Sequence, residues 1–241
     1  MGIPLGDDAP RSSYPIVTLT IIIINVLMFL YESTLGPQGF EGFVMSYGSI
    51  PKEIIQGRDI FPYSNLPSPY LTLITSMFLH ANWLHLIGNM LYMWVFADNL
   101  EDRMGKFRFL CFYFICGIIA SFTQIAVSMM SGNPQALSVP SIGASGAIAG
   151  IMGGYILLFP TARVYTLWAV FIIGVIELPA FFVLGLWILT QVFSGLASFG
   201  GQALGGVAYA AHIGGFFAGL FLVKLFDRGP QGGRLRGRWR G

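Results

Sequence analysis

The sequence predicts an all-α membrane protein, a bundle of six transmembrane helices, and three observations carry that expectation. Of 241 residues, 55% are hydrophobic and only 10% charged, with a mean hydropathy of +0.70, whereas an ordinary soluble domain has about 25% charged residues. Lipid is the solvent such a chain requires. The apolar stretches are continuous rather than alternating, which excludes barrel strands and leaves helices, whose backbone hydrogen bonds close within each span. Few breaks separate the stretches, so one compact membrane domain is expected over residues 15–227, between a polar segment, residues 1–14, and a basic tail, residues 228–241.

The spans follow in order. Residues 15–31 centre on Ile21-Ile22-Ile23-Ile24, and the net-acidic start before them, with no small-residue cleavage site after, reads as an uncleaved first span rather than a signal peptide. Residues 32–70 are a long connection whose interleaved aromatic and aliphatic residues, such as Phe40, Phe43, Tyr47, Ile54 and Phe61, make it too apolar for a solvated linker. It belongs on or in the membrane interface. The second and third spans are residues 83–97 and 107–130, and an uncharged glycine- and proline-marked loop follows to Ala144. The fourth, residues 145–159, covers only about 22 Å at about 1.5 Å per residue, against a hydrocarbon core of about 30 Å, so its start is recessed below the surface. Between Thr161 and Glu177 the β-branched and aromatic content favours extended structure, and the stretch is expected to be a partly buried loop. The fifth and sixth spans are residues 180–194 and 208–226.

Six spans leave both termini on one side, and Lys and Arg mark the cytoplasmic side. Under this topology 11 of the 13 basic residues collect there: Arg11, Arg103, Lys106, Arg108, Arg163, Lys224 and five tail arginines. Beside a membrane span, topology and anionic lipid account for an Arg-rich tail better than nucleic acid does. Cys111 and Cys116 share one apolar stretch and imply no disulfide framework; the Trp residues, Trp187 included, read as interface or packing residues.

The topology then brings a set of polar residues to one depth. Ser145 opens the fourth span, His85 and Asn89 lie in the outer half of the second, and His212 lies about one turn into the sixth, all near the outer side. A serine hydroxyl is a weak nucleophile until a base takes its proton. Taken alone, a glycine-hemmed serine is a packing residue, but a histidine inside a span is costly and functional by default. Gly146, Gly150 and Gly154 repeat every four residues after Ser145, while Ala208, Ala211, Gly215 and Gly219 share the face of His212. Two small-residue faces let those spans approach closely enough to bring serine and histidine together. His85 and Asn89, four residues apart, share a face and can donate hydrogen bonds to a developing oxyanion, as can the Ser145 amide at a helix start. Between Arg103 and Lys224 the only acid is Glu177, at the wrong end, so a Ser–His dyad is expected rather than a triad. The three histidines have no Cys, Asp or Glu at their depth, and neither a metal nor a cofactor is expected.

Four stretches carry a family resemblance: His80-Ala-Asn-Trp-Leu-His85-Leu-Ile-Gly-Asn89, Asn99-Leu-Glu101-Asp-Arg-Met-Gly105, Gly143-Ala-Ser145-Gly146, and Ala211-His212-Ile-Gly-Gly215-Phe-Phe-Ala-Gly219. In order and spacing they resemble the rhomboid intramembrane serine proteases of six-span prokaryotic type, over about residues 15–227. The resemblance implies a rhomboid-type bundle with a membrane-embedded first loop, Ser145 as nucleophile, His212 as general base, and His85 and Asn89 at the oxyanion site. His80, Gly143 and Gly146 take supporting places, Glu101 and Gly105 a structural turn, and span five with the loop before span six the substrate gate. Two departures stand out. Many members have an aromatic residue four positions after the serine, where this chain has Ala149, and the first loop lacks a common Trp-Arg pair. The function so implied is an endopeptidase in a bacterial or archaeal plasma membrane, termini cytoplasmic, cutting single-span membrane proteins near the outer boundary with membrane lipid as its other partner and no nucleic acid. A transporter or channel using the His–Asn pocket, and a non-proteolytic rhomboid-like client-binding protein, are the alternatives.

Overall fold

A computed structural model describes residues 2–61, 66, 68–169, 173–199 and 207–230. The tail arginines beyond Arg228, residues 170–172 between the strands described below, and most of the loop before the last span lie outside the described residues. Strand β1 (Ile3–Asp7) precedes α1 (Ile16–Glu32); α2 (Gly36–Tyr47), α3 (Pro51–Gln56) and the single turn α4 (Thr72–Thr75) lie in the long first connection. Then come α5 (Trp83–Met104), α6 (Lys106–Met130), α7 (Ser145–Leu158), the strands β2 (Arg163–Ala169) and β3 (Ile173–Pro179), α8 (Ala180–Phe199) and α9 (Tyr209–Phe226). By length and composition α6, α8 and α9 each suffice to cross a membrane, and α1 and α7 are shorter apolar helices. The protein is a helical membrane bundle.

Helix α7 is the centre of it. Its sequence is apolar on all sides, and such a helix has to be surrounded: every residue from Gly146 to Tyr155 is buried. Tyr113, Phe96, Phe109, Phe112, Met93 and Leu100 from α5 and α6 wall it with fully buried side chains. On its other side α9 lies close enough that the two backbones touch. A Cβ at Gly215 would collide with the Gly146 carbonyl, and one at Gly219 with the Gly150 carbonyl. On the α9 side this is the small-residue packing expected, because lipid offers no hydrophobic drive and close van der Waals contact must supply the attraction; on α7 a Cβ at Gly146 or Gly150 would meet Ala120 or Cys116 of α6 first. Gly154 departs from the pattern and faces Leu100 and Val223, while Gly153 abuts the Phe216 backbone instead.

Helix α5 runs seven residues past the span boundary expected at Ala97, and the reason is chemical. Its last two turns, Asp98–Met104, carry charges that end a lipid-facing stretch but here bind the chain's polar segment. The Glu101 carboxylate accepts from the Val17 amide at 3.0 Å and from the Thr18 amide and hydroxyl, both at 2.8 Å. Since Pro15 offers α1 no side-chain cap, Glu101 satisfies its orphan first-turn donors and faces its positive dipole end. Asp102 accepts from the Ser12 amide and hydroxyl. Asn99 donates to the Ala9 carbonyl at 3.1 Å. Arg103 grips Asp227, just past α9, with Nε to Oδ1 at 2.9 Å. Gly105, at φ +76°, supplies the left-handed turn into α6.

The stretch after α7 is more ordered than a loop. It forms a hairpin, β2 antiparallel to β3 with Val164 opposite Leu178, and β1 from the polar segment adds to β2 with Asp7 opposite Val164. The β-branched residues that argued for extended structure lie on both strands, Thr166 opposite Ile176 and Val175 opposite Leu167, and Val164 and Thr166 face inward. Glu177 lies here in an exposed ion pair with Arg163 at 2.9 Å, far along the chain's fold from His212. At the inner edge of the sheet Tyr155 donates a hydrogen bond to Asp7. Burial pushes the Asp7 carboxyl up to about 7 despite that bond, with Asp98 and Asp8 adding to the rise.

Two outcomes follow for stability. An unfolded Asp7 loses its proton near pH 3.8 and the folded one near 7, so its effect on stability turns unfavourable as pH rises through that window. Asp7→Asn is expected to flatten this fall and to unfold at a higher temperature than the parent at pH 8, measured by thermal unfolding in detergent. Glu101→Ala leaves the half-buried Val17 donor and the buried Thr18 donors unpaired and is expected to cost about 2–4 kcal/mol in the same assay.

Candidate active site

Ser145 is the first residue of α7 and His212 is in the first turn of α9. The glycine contact below them fixes the distance between the helices at this end, and the two side chains meet: His212 Nε2 lies 2.7 Å from Ser145 Oγ. The other imidazole nitrogen, Nδ1, lies 2.8 Å from the Gln191 side-chain oxygen on α8. The Trp187 ring, one turn earlier on α8, packs over the imidazole at 5.7 Å between centroids and 37° between planes, and Tyr209 meets it edge-on at 6.5 Å. Ala149 is fully buried in α7, and the aromatic support absent there comes from α8.

The loop entering α7 is shaped by its glycine. Gly143 has φ +117°, a conformation side chains rarely adopt. A Cβ there would sit 2.7 Å from His85 Nε2 and 3.7 Å from Asn89 Nδ2. Both nitrogens therefore converge on one spot two residues before Ser145. Asn82 caps α5 by accepting from the His85 amide at 2.9 Å. The Ala81 amide lies 3.4 Å from His85 Nδ1; a nitrogen that accepts leaves the ring proton on Nε2, the one facing Gly143. Asn89 Nδ2 is buried and has no acceptor among the described residues. Two donors thus point at one place, and the first-turn amides of α7, which have no intrahelical acceptor, point the same way.

His80 is fully buried, with its ring 5.0 Å from that of His85 and its amide donating to Glu32 at 3.2 Å. Gly146 gives no room for a side chain, since a Cβ would sit 2.6 Å from that of Ala120. A cavity of about 30 Å³ opens beside Ser145, its lining mixing Ser76, Ser121, Gln124 and Ser141 with apolar residues and glycines, roomy enough for water. The Gly143 amide donates to the Ser76 carbonyl at 2.8 Å, and Ser49 and Ser141 exchange both backbone hydrogen bonds, tying the long first connection to the serine's loop. No group of three His, Cys, Asp or Glu side chains able to hold a metal occurs among the described residues.

The sequence pattern thus named Ser145, His212, His85 and Asn89, which the fold gathers, and it missed Gln191, Trp187 and Tyr209. Gln191 could have been found, because an amide amid an otherwise apolar span demands a partner.

In this helical membrane bundle a serine at a helix start meets a histidine of a neighbouring helix. The family model described as the rhomboid domain matches residues 67–228, and the chain belongs to the rhomboid family. It is 30% identical over 195 residues to rhomboid protein 1, mitochondrial, of Saccharomyces cerevisiae, covering 76% of this chain and 52% of that protein. It is 28% identical over 176 residues to rhomboid-like protein 11, chloroplastic, of Arabidopsis thaliana, covering 72% and 58%. Against rhomboid protease AarA of Providencia stuartii it is 28% identical over 149 residues, covering 58% and 50%. The chain spans about half the length of the curated relatives it matches.

Gly143→Ala is expected to destabilise the protein by about 1–3 kcal/mol through the strained φ and to displace the His85 ring. Thermal unfolding and the ring's NMR shift measure the two effects.

Proposed function

We propose that the protein is an intramembrane serine endopeptidase that cuts membrane-anchored proteins. The observation that carries this reading is the 2.7 Å contact between Ser145 Oγ and His212 Nε2 inside a rhomboid-family bundle. Ser145 Oγ attacks the scissile carbonyl carbon while His212 Nε2 takes the hydroxyl proton. The carbonyl π electrons move to oxygen, and His85 Nε2–H, Asn89 Nδ2–H and the Ser145 amide hold the resulting oxyanion. As the carbonyl re-forms, the C–N bond breaks and His212 returns its proton to the leaving amine. Water from the serine-lined cavity then repeats the sequence on the acyl-enzyme, the same imidazole taking its proton, and Ser145 is regenerated.

The basic-residue bias supports an orientation with both termini cytoplasmic and Ser145 near the outer boundary, in a bacterial or archaeal plasma membrane. Single-span proteins would enter there, with their cleavage site held at the depth of the recessed α7 start. The spans proposed are the six long helices α1 and α5 to α9, with residues 1–14 and the basic tail outside the membrane.

The test is cleavage of a purified single-span membrane protein by the detergent-solubilised chain. Wild type is expected to cut and Ser145→Ala to be inactive; cleavage that survives the substitution, or fails in both, overturns the reading. His85→Ala and Asn89→Ala are each expected to lower kcat by about 10²- to 10³-fold, as loss of one oxyanion donor does.

A further inference from the structure

The proposed dyad leaves His212 with a second nitrogen to satisfy and no acid within reach. We propose that Gln191 is the positioning residue that selects the His212 tautomer, accepting from Nδ1–H so that bare Nε2 faces the Ser145 hydroxyl; this rests on the serine-protease reading. Three observations carry it. The Gln191 side-chain oxygen lies 2.8 Å from Nδ1 while Nε2 lies 2.7 Å from Ser145, so one imidazole is bonded at both ends. The amide's orientation is set by its neighbour. Thr190 Oγ1 donates to the Trp187 carbonyl at 2.6 Å, which leaves Oγ1 as the acceptor for Gln191 Nε2 at 3.3 Å. With the amide nitrogen engaged there, the oxygen faces His212, and an oxygen can only accept. Finally, Trp187 and Gln191 stand four residues apart on α8, one covering the face of the ring and the other taking its edge.

This is the place that a carboxylate occupies in a Ser–His–Asp arrangement, where a wrong tautomer disables the base. An amide does the steering without placing an ion in a span, where an ion is costly. It holds the proton position but offers a dipole, not a full charge, to the imidazolium formed during reaction. A Gln kept merely to fill α8 would be replaceable by any side chain of its length.

The experiment compares wild type with Gln191→Met, which keeps the length and removes the acceptor, and Gln191→Glu, which keeps an acceptor. Gln191→Leu is a second acceptor-free variant should the Met protein not unfold cooperatively. Labelling by a rhodamine-linked fluorophosphonate gives the limiting rate and the half-saturation concentration separately. In parallel, ¹⁵N-histidine NMR reports which nitrogen of His212 carries the proton, its signal assigned by loss in His212→Ala. Wild type is expected to show Nδ1–H. Acceptor-free variants are expected to lose that preference and to lower the limiting rate by about 10- to 100-fold, with half-saturation within about twofold. Gln191→Glu is expected to keep the tautomer and most of the rate. An unchanged tautomer in Gln191→Met and Gln191→Leu, or equal rate loss in the Glu variant, overturns the proposal. Failure of wild type itself to be labelled overturns the protease reading, and the NMR arm still decides the role of Gln191.

Discussion

The rest of the structure depends on one close approach, that of α7 to α9. Gly215 and Gly219 on α9 and Gly153 on α7 let two backbones meet where a Cβ would collide, while Gly146 and Gly150 make the same room for Ala120 and Cys116 of α6, and in lipid such contact is the main source of helix–helix attraction. The serine and the histidine stand at the top of this seam, so the packing that stabilises the bundle also sets the distance between them. Stability and site geometry are here the same interaction, unlike in enzymes that hang their residues on loops.

The other end of the bundle works by polar bonds instead. Residues 98–103 of α5 hold the polar segment, the start of α1 and the end of α9 through carboxylates, an amide and an arginine. The chain therefore has a dry seam at its centre and a hydrogen-bonded collar at the end away from Ser145. Helix α8 belongs fully to neither. It runs straight out of β3 at Pro179 and exposes Phe181, Phe182, Leu189 and Phe193. Because Gln191 and Trp187 ride on it, the seat of α8 and the alignment of His212 are coupled.

Much of this was legible in the residues. Helix positions followed from continuous apolar stretches, and the meeting of Ser145 with His212 followed from glycine and alanine at helical spacing, because spacing on a helix is geometry. What escaped were partnerships between distant segments. Nothing local in residues 3–7 announces that they pair with residues 163–169; a strand's partner is set by topology, not by its own pattern. The charges after Ala97 read as the end of a span, yet they extend α5 because they have the chain's own amides to bind. Ala149 stands where many family members have an aromatic residue, whereas the His212 ring is covered from a different helix. A search along α7 alone had no way to find Trp187.

A hydrogen-bonded chain runs from Ser145 through His212, Gln191 and Thr190 to the Trp187 carbonyl. It contains hydroxyls, an amide and an imidazole, and no acid. In the proposed reaction, charge arises only as an imidazolium–oxyanion pair a few ångströms apart, born together and annihilated together. A membrane potential does little work on a dipole so short, and mobile salt finds no standing field to screen. The proposed chemistry is accordingly insulated from membrane potential and salt alike.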